Sequence, residues 1–206
     1  MNRTIRNLFW FIIGFVLVFI LIHICYASMS ERIKAYYPIL AEEHSKIWPE
    51  SDVTIIAGQI EAESAWKEKA TRLEKSGVTS YGLMQVLDVT FNEMKKKNPT
   101  LLDIEPVQML QARWGIRAGI LYDKQMFKLC TFASNCPVNQ WAFALASYNG
   151  GYGYILKDRK LTESMGYDKN LWFDNVEKFS NRSPQFFKIN RGYPIKIFKY
   201  AEKYRR

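Results

Sequence analysis

The chain has 206 residues, 48% of them hydrophobic and 15% aromatic, with 29 Lys and Arg against 20 Asp and Glu. That length supports one sizeable core plus an appendage, and the aromatic content excludes a disordered chain. The net charge of +9 suits an anionic polymer such as nucleic acid, a membrane surface or a bacterial wall, without choosing among them.

Arg3 and Arg6 are the only charged side chains before Glu31, which leaves 27 basic and 20 acidic residues, or +7, for the remainder. Between Arg6 and Glu31, residues 8–27 carry no formal charge and are dense in Phe, Ile, Val and Leu. As a helix this stretch is roughly 30 Å long, the thickness of a hydrocarbon core. A cleaved signal peptide ending at Cys25-Tyr26-Ala27 is the rival reading, but its apolar region is usually only ~7–15 residues long. Ile24 before Cys25 does not fit a lipid-attachment site. A retained transmembrane anchor over residues 1–29 is therefore expected. The flanking charges do not decide its orientation.

Residues 30–47 place Ile33, Tyr36, Tyr37 and Leu40 at helical spacing and read as a juxtamembrane helix, kinked or broken near Pro38. Pro49, Ser51 and Asp52 then punctuate, with Ser51 or Asp52 as the cap of a helix that carries Glu63. Residues 68–80 are polar, include Gly77, and read as a loop. A short helix over 90–97 ends in Lys95-Lys96-Lys97, the longest basic run and in itself an ordinary solvated helix end.

Pro106 suits the first turn of a long helix in which Val107, Leu110, Trp114, Ala118 and Leu121 form an apolar stripe. Pro137 opens another helix, over 138–148, that buries Trp141, Ala142, Leu145 and Ala146 and ends at Gly150-Gly151. Residues 158–192 are less regular, with a helix over 171–179, and residues 193–204 form the closing helix. No alternating pattern of useful length and no repeat is present. The expected fold is mostly α, with a domain over residues 48–206.

Three cysteines are present, and Cys130 and Cys136 bracket a short loop. In an oxidising compartment they form a candidate disulfide; two free thiols are the plain alternative. His23 and His44 are the only histidines, so no metal-ligand spacing exists and no cofactor is expected.

The chemistry concentrates around Glu63. Ile56, Gln59 and Ile60 share its helical face, whereas Glu61 points elsewhere. A carboxyl that continues a partly apolar face lies at the edge of a core, where desolvation raises its pKa. Glu63-Ser64 is followed after about 20 residues by Gly82-Leu83-Met84-Gln85, and about 65 residues later by Tyr148-Asn149-Gly150-Gly151. Alone, each string is unremarkable. In this order and spacing, over residues 48–204, they resemble the catalytic domain of the soluble-lytic-transglycosylase type, related to goose-type lysozyme.

The resemblance implies a lysozyme-like transglycosylase fold, which here would follow the one transmembrane helix expected from residues 8–27. It also implies cleavage of the β-1,4 bond between N-acetylmuramic acid and N-acetylglucosamine in peptidoglycan, with a 1,6-anhydro product. Glu63 matches the single acid and base, assisted by the substrate's N-acetyl group. Ser64, Gly82, Met84, Gln85, Tyr148 and Asn149 match residues that shape the site and bind glycan, and Tyr193, in Gly-Tyr-Pro, stands for the family's late tyrosine. Tyr152, Tyr154 and Trp172 are either groove aromatics or ordinary core. The usual Tyr-Asn-Ala-Gly is Tyr-Asn-Gly-Gly here, and the spacing before Gly82 departs from the commoner form.

On this reading the partners are glycan strands and, through residues 8–27, the membrane, rather than nucleic acid. The domain then lies on the periplasmic side of the cytoplasmic membrane, or in a virion if the owner is a phage. A muramidase on the same fold and a non-catalytic wall-binding or virion structural protein are the alternatives.

Overall fold

A computed structural model describes residues 3–205; between residues 8 and 27 it describes the side chains only of 10–16 and 18. The first element, α1, is one helix over Arg3–Ile47. Pro38 lies inside it without ending it, so the helix is not broken there. Contacts hold the helix on both sides of the proline. Tyr37 lies against Trp66 and Tyr204, with ring centroids 6.3 and 6.0 Å apart, and Leu40 is fully buried.

Beyond Pro38, the fully buried Glu43 accepts hydrogen bonds from Arg117 Nε at 2.6 Å and Arg113 Nη1 at 2.5 Å. The last turns of α1 thus belong to the domain core rather than to a linker. Considering the described residues alone, no helix is long and apolar enough to cross a membrane. Most side chains of the expected anchor lie outside those described. Those described within it include Trp10, Phe11, Ile12 and Phe15, all exposed.

The domain is built on α2 (Val53–Ser64), α3 (Asp88–Lys95), α4 (Ala112–Leu129), α5 (Pro137–Gly150), α6 (Tyr152–Ser164) and α7 (Pro184–Ala201). Asp52 caps α2, its carboxylate accepting from the Thr54 amide at 2.9 Å. The helix then buries Ile55, Ile56 and Ile60. Gly58 explains how α7 comes so close: a Cβ there would lie 2.8 Å from the Ile197 carbonyl and the Ala201 amide.

The largest cluster of buried apolar side chains joins α1, α2, α4, α5 and α7, and a second gathers Phe143, Ile155, Trp172 and Val176 between α5, α6 and the following loop. Trp172 is therefore core, Tyr152 donates to the Leu129 carbonyl at 3.0 Å, and Tyr154 stays exposed under the Arg182 guanidinium.

Several boundaries differ from expectation. The polar 68–80 stretch forms part of a small antiparallel sheet, β1 (Thr71–Leu73), β2 (Thr79–Tyr81) and β3 (Val86–Leu87), in that order. Its strands are too short and too exposed to alternate visibly. Pro106 starts a separate 3-10 turn, Pro106–Leu110, closed by a reciprocal Glu105–Gln108 capping box, so Val107 is exposed rather than part of a core stripe. The expected helix over 171–179 is only a 3-10 turn, Val176–Lys178. Helix α6 was not foreseen, and α7 begins earlier than expected, with Pro194 inside it.

Candidate active site

Glu63 sits in the last turn of α2 and keeps part of its surface open to solvent. Its carboxyl is otherwise packed deeply enough that desolvation raises its pKa to about 7. A hydrogen bond from the Tyr193 hydroxyl and the nearby positive charges of Arg72 and Lys196 oppose that rise, and Glu74 adds to it. A carboxyl poised near neutral pH can both give and take a proton there.

The backbone just after Glu63 is unusual. Ala65 and Trp66 both have positive φ, 50° and 60°, a conformation that costs non-glycine residues on the order of 1–3 kcal/mol. Trp66 is held in it by full burial and by donating from Nε1 to the Tyr204 hydroxyl at 2.8 Å. Tyr204 in turn donates to Glu61 Oε2 at 2.6 Å, and Lys203 pairs with Glu61 Oε1. Glu61 does point away from Glu63, as its helical position requires. It is nonetheless buried and anchors the residues that terminate α2. Ser64 is buried as well and returns its hydroxyl to the Ile60 carbonyl at 3.2 Å.

Residues 82–85 form a braced corner. At Gly82, φ is +72° and a Cβ would fall 2.0 Å from the Met109 carbonyl. The glycine is thus required by packing on the Pro106–Leu110 turn. The Met84 side chain is fully buried and lies against Gly119 of α4; the Met84 carbonyl accepts from the Tyr148 hydroxyl at 2.7 Å. Gln85, with φ +49°, spends its amide on the loop itself. Nε2 donates to the Ala70 and Gly82 carbonyls at 3.1 and 2.9 Å, and Oε1 accepts from Ser80 at 2.9 Å.

Tyr148, on α5, lies close enough to Glu63 to feel its charge and packs against Tyr122 with the rings tilted and their centroids 4.8 Å apart. Burial raises the hydroxyls of Tyr148 and Tyr193 well above their usual pKa, so both are donors at neutral pH. Asn149 is exposed at the end of α5 and accepts weakly, at 3.3 Å, from Asn190 of α7. The structure thus gathers Glu63, Tyr148 and Tyr193 at one place. Ser64, Gly82, Met84 and Gln85 lie around it as supports, and Asn149 is farther along the rim.

Cys130 and Cys136 are free thiols rather than a bridge. Cys130 is fully buried after α4, where burial raises its pKa to about 12, while hydrogen bonds at the start of α5 lower that of Cys136. Among the described residues no cluster of His, Cys, Asp and Glu suits a metal ion. Sequence reasoning missed Asp123, a fully buried carboxyl on α4 within electrostatic reach of Glu63; its neighbour Lys124 makes that part of the helix read as solvated.

The chain is also similar to known proteins. Proteins named membrane-bound lytic murein transglycosylase F are among its relatives. The one from Vibrio campbellii is 32% identical over 129 residues, covering 63% of this chain and 21% of the relative. The one from Stutzerimonas stutzeri is 34% identical over 155 residues, covering 74% and 28%. The chain therefore spans only about a quarter of the length of such relatives. The transglycosylase SLT domain matches residues 39–171, taking in Glu63, the Gly82–Gln85 corner and Tyr148, and on that match the chain belongs to the transglycosylase SLT domain family.

Proposed function

We propose that the chain is a peptidoglycan lytic transglycosylase in which Glu63 is the single acid and base. The observation that carries this reading is a partly open carboxyl with its pKa raised to about 7, held by Tyr193 and flanked by Tyr148. In the first step Glu63 protonates the glycosidic oxygen, and the bond from C1 of N-acetylmuramic acid to that oxygen breaks. The acetamido oxygen of the same sugar closes on C1. In the second step the Glu63 carboxylate takes the proton of the 6-hydroxyl, whose oxygen displaces the acetamido oxygen and closes the 1,6-anhydro ring. No water is consumed, and Glu63 ends protonated. A positioned acid and base of this kind is worth on the order of 10²–10⁴ in rate.

Most glycosidases hold a second carboxylate across the bond. Two other carboxyls lie within electrostatic reach of Glu63: Asp123, which is fully buried and unsuited to activating water, and Glu74, which is engaged by Arg72 Nε at 2.6 Å. That supports intramolecular capture over hydrolysis. Basic residues at the rim, Arg72 and Lys196, suit an anionic glycan.

The membrane is the proposed location. The uncharged run over 8–27, the exposed Trp10, Phe11 and Phe15, and the membrane-bound relatives support an anchor there, with the domain on the periplasmic side.

Mass spectrometry of digested cell wall tests the proposal. Fragments ending in 1,6-anhydro-N-acetylmuramic acid and resistant to borohydride are expected from the wild type, and no release from Glu63→Gln. Reducible muramic acid ends would make the chain a muramidase, and a folded wild type that releases nothing would make it a wall-binding protein.

A further inference from the structure

Behind Glu63 lies a carboxyl that the proposed reaction does not use. Asp123, on α4, accepts a hydrogen bond of 3.2 Å at Oδ1 from the Gln59 side-chain amide. Gln59 precedes Glu63 by one helical turn on the same face of α2, and both Gln59 and Asp123 are fully buried. Two atoms of the pair have no partner: Asp123 Oδ2 and Gln59 Oε1. With Asp123 ionised both are acceptors, and a buried acceptor without a donor is destabilising, most of all a charged one. A proton on Oδ2 repairs both defects together. The acid O–H then donates to Oε1 while the amide N–H donates to Oδ1, since acid and primary amide present complementary edges.

The surroundings favour that proton. Gln59 and Glu63 face Asp123 from α2, Tyr148 from α5 and Tyr193 from α7, with Tyr122 beside it on α4. The cations Arg72 and Lys196 act on Glu63, not on Asp123. Burial holds the Asp123 carboxyl well above the ordinary range; the hydrogen bond from Gln59 opposes that rise and the negative charge of Glu63 adds to it. Ionising both carboxyls would place two like charges in one largely apolar site.

We propose that Asp123 is a positioning residue: a neutral carboxylic acid, closed with Gln59 into a ring of two hydrogen bonds that ties α4 to the catalytic helix and leaves Glu63 as the only one of the two carboxyls to change charge. The inference rests on the reading of Glu63 as the acid, and its test separates the two.

In wild-type protein labelled with ¹³C at aspartate Cγ, one carboxyl signal stays at its protonated position at pH 8 while the other aspartates have ionised. That signal is lost in Asp123→Asn. Should the Asn variant fail to fold, Gln59→Leu assigns the signal by displacing it. Titration of every aspartate below pH 7, or a protonated signal indifferent to Gln59→Leu, overturns the proposal. Asp123→Leu should lose roughly tenfold in wall lysis through misplacement of Glu63, and Asp123→Asn should recover most of it with the alkaline limb of the pH profile in place. A limb moved downward in Asp123→Asn means that Asp123 had been charged beside Glu63, and also overturns it. Wild type that does not cut wall would remove the functional reading and leave the carboxyl measurement standing.

Discussion

The Tyr193 hydroxyl donates to Glu63 Oε1 across 130 residues of chain, from a helix whose close approach depends on Gly58. This bond favours the ionised carboxylate and so holds down a pKa that burial would otherwise raise beyond about 7. Tyr193→Phe removes a charge-assisted bond worth ~1.5–3 kcal/mol, and 1.36 kcal/mol corresponds to about one pKa unit. The activity that depends on protonated Glu63 should then persist to higher pH, with the alkaline limb of kcat/KM displaced upward by about one unit. The measurement is lysis rate against pH for the two proteins. An unmoved or lowered limb would mean that another group is the acid.

Glu61 makes the opposite kind of prediction, because it touches the fold and not the substrate. It is the acceptor for Tyr204, which supports Trp66 in its left-handed conformation. Glu61→Ala leaves a half-buried hydroxyl without its charged acceptor and should cost about 2 kcal/mol. In a thermal melt that is a fall of roughly 4–8 °C. Lysis per folded molecule at 25 °C should change far less than in Glu63→Gln. Equal losses of activity in the two variants would contradict the separation of roles between these neighbouring glutamates.

What the sequence made legible was local. Glu63-Ser64, Gly82 to Gln85 and Tyr148-Asn149 are short strings whose spacing survives without knowledge of the fold, and Asp52 announces its helix by residue type. The rest depends on tertiary closure. Gln59 and Asp123 are polar residues 64 positions apart, and nothing in either helix marks them as buried until α2 and α4 meet. The packing role of Gly82 was hidden because the Met109 carbonyl opposite it lies on a turn that the sequence presented as the start of a helix. Glu42 and Glu43 carry no mark of their place until Arg113 and Arg117 hold them against α4.

The two cysteines should react very differently. Cys136 lies near the surface with its thiol pKa lowered by hydrogen bonds around Asn139, whereas Cys130 is buried and pushed up to about 12. In a Cys25→Ser background, native protein at pH 8 should take up one maleimide per chain, and unfolded protein two. Thiolate fraction and access both favour Cys136. Native protein that labels at neither site until a reductant is added would establish a bridge instead.

The raised pKa of Glu63 also fixes a sign for stability. Its carboxyl ionises near 4.5 when exposed and near 7 in the fold, so between those values the folded chain holds more protons than the unfolded one. Stability at this group is therefore fully present below about pH 4.5, and it is lost as pH rises to 7 and beyond. A shift of that size corresponds to about 3 kcal/mol. Glu63→Gln keeps the shape and an acceptor for Tyr193 but cannot ionise, so it escapes the loss. Near pH 4 the two proteins should melt at similar temperatures. At pH 8 the inactive Gln variant should melt higher, by on the order of 10 °C for ~3 kcal/mol in a domain of this size. Asp123 is present in both proteins, so its own titration largely cancels in the comparison. Parallel melting curves from pH 4 to pH 8 would show that Glu63 is not desolvated in the fold, and the physical basis for its acting as an acid at neutral pH would be gone.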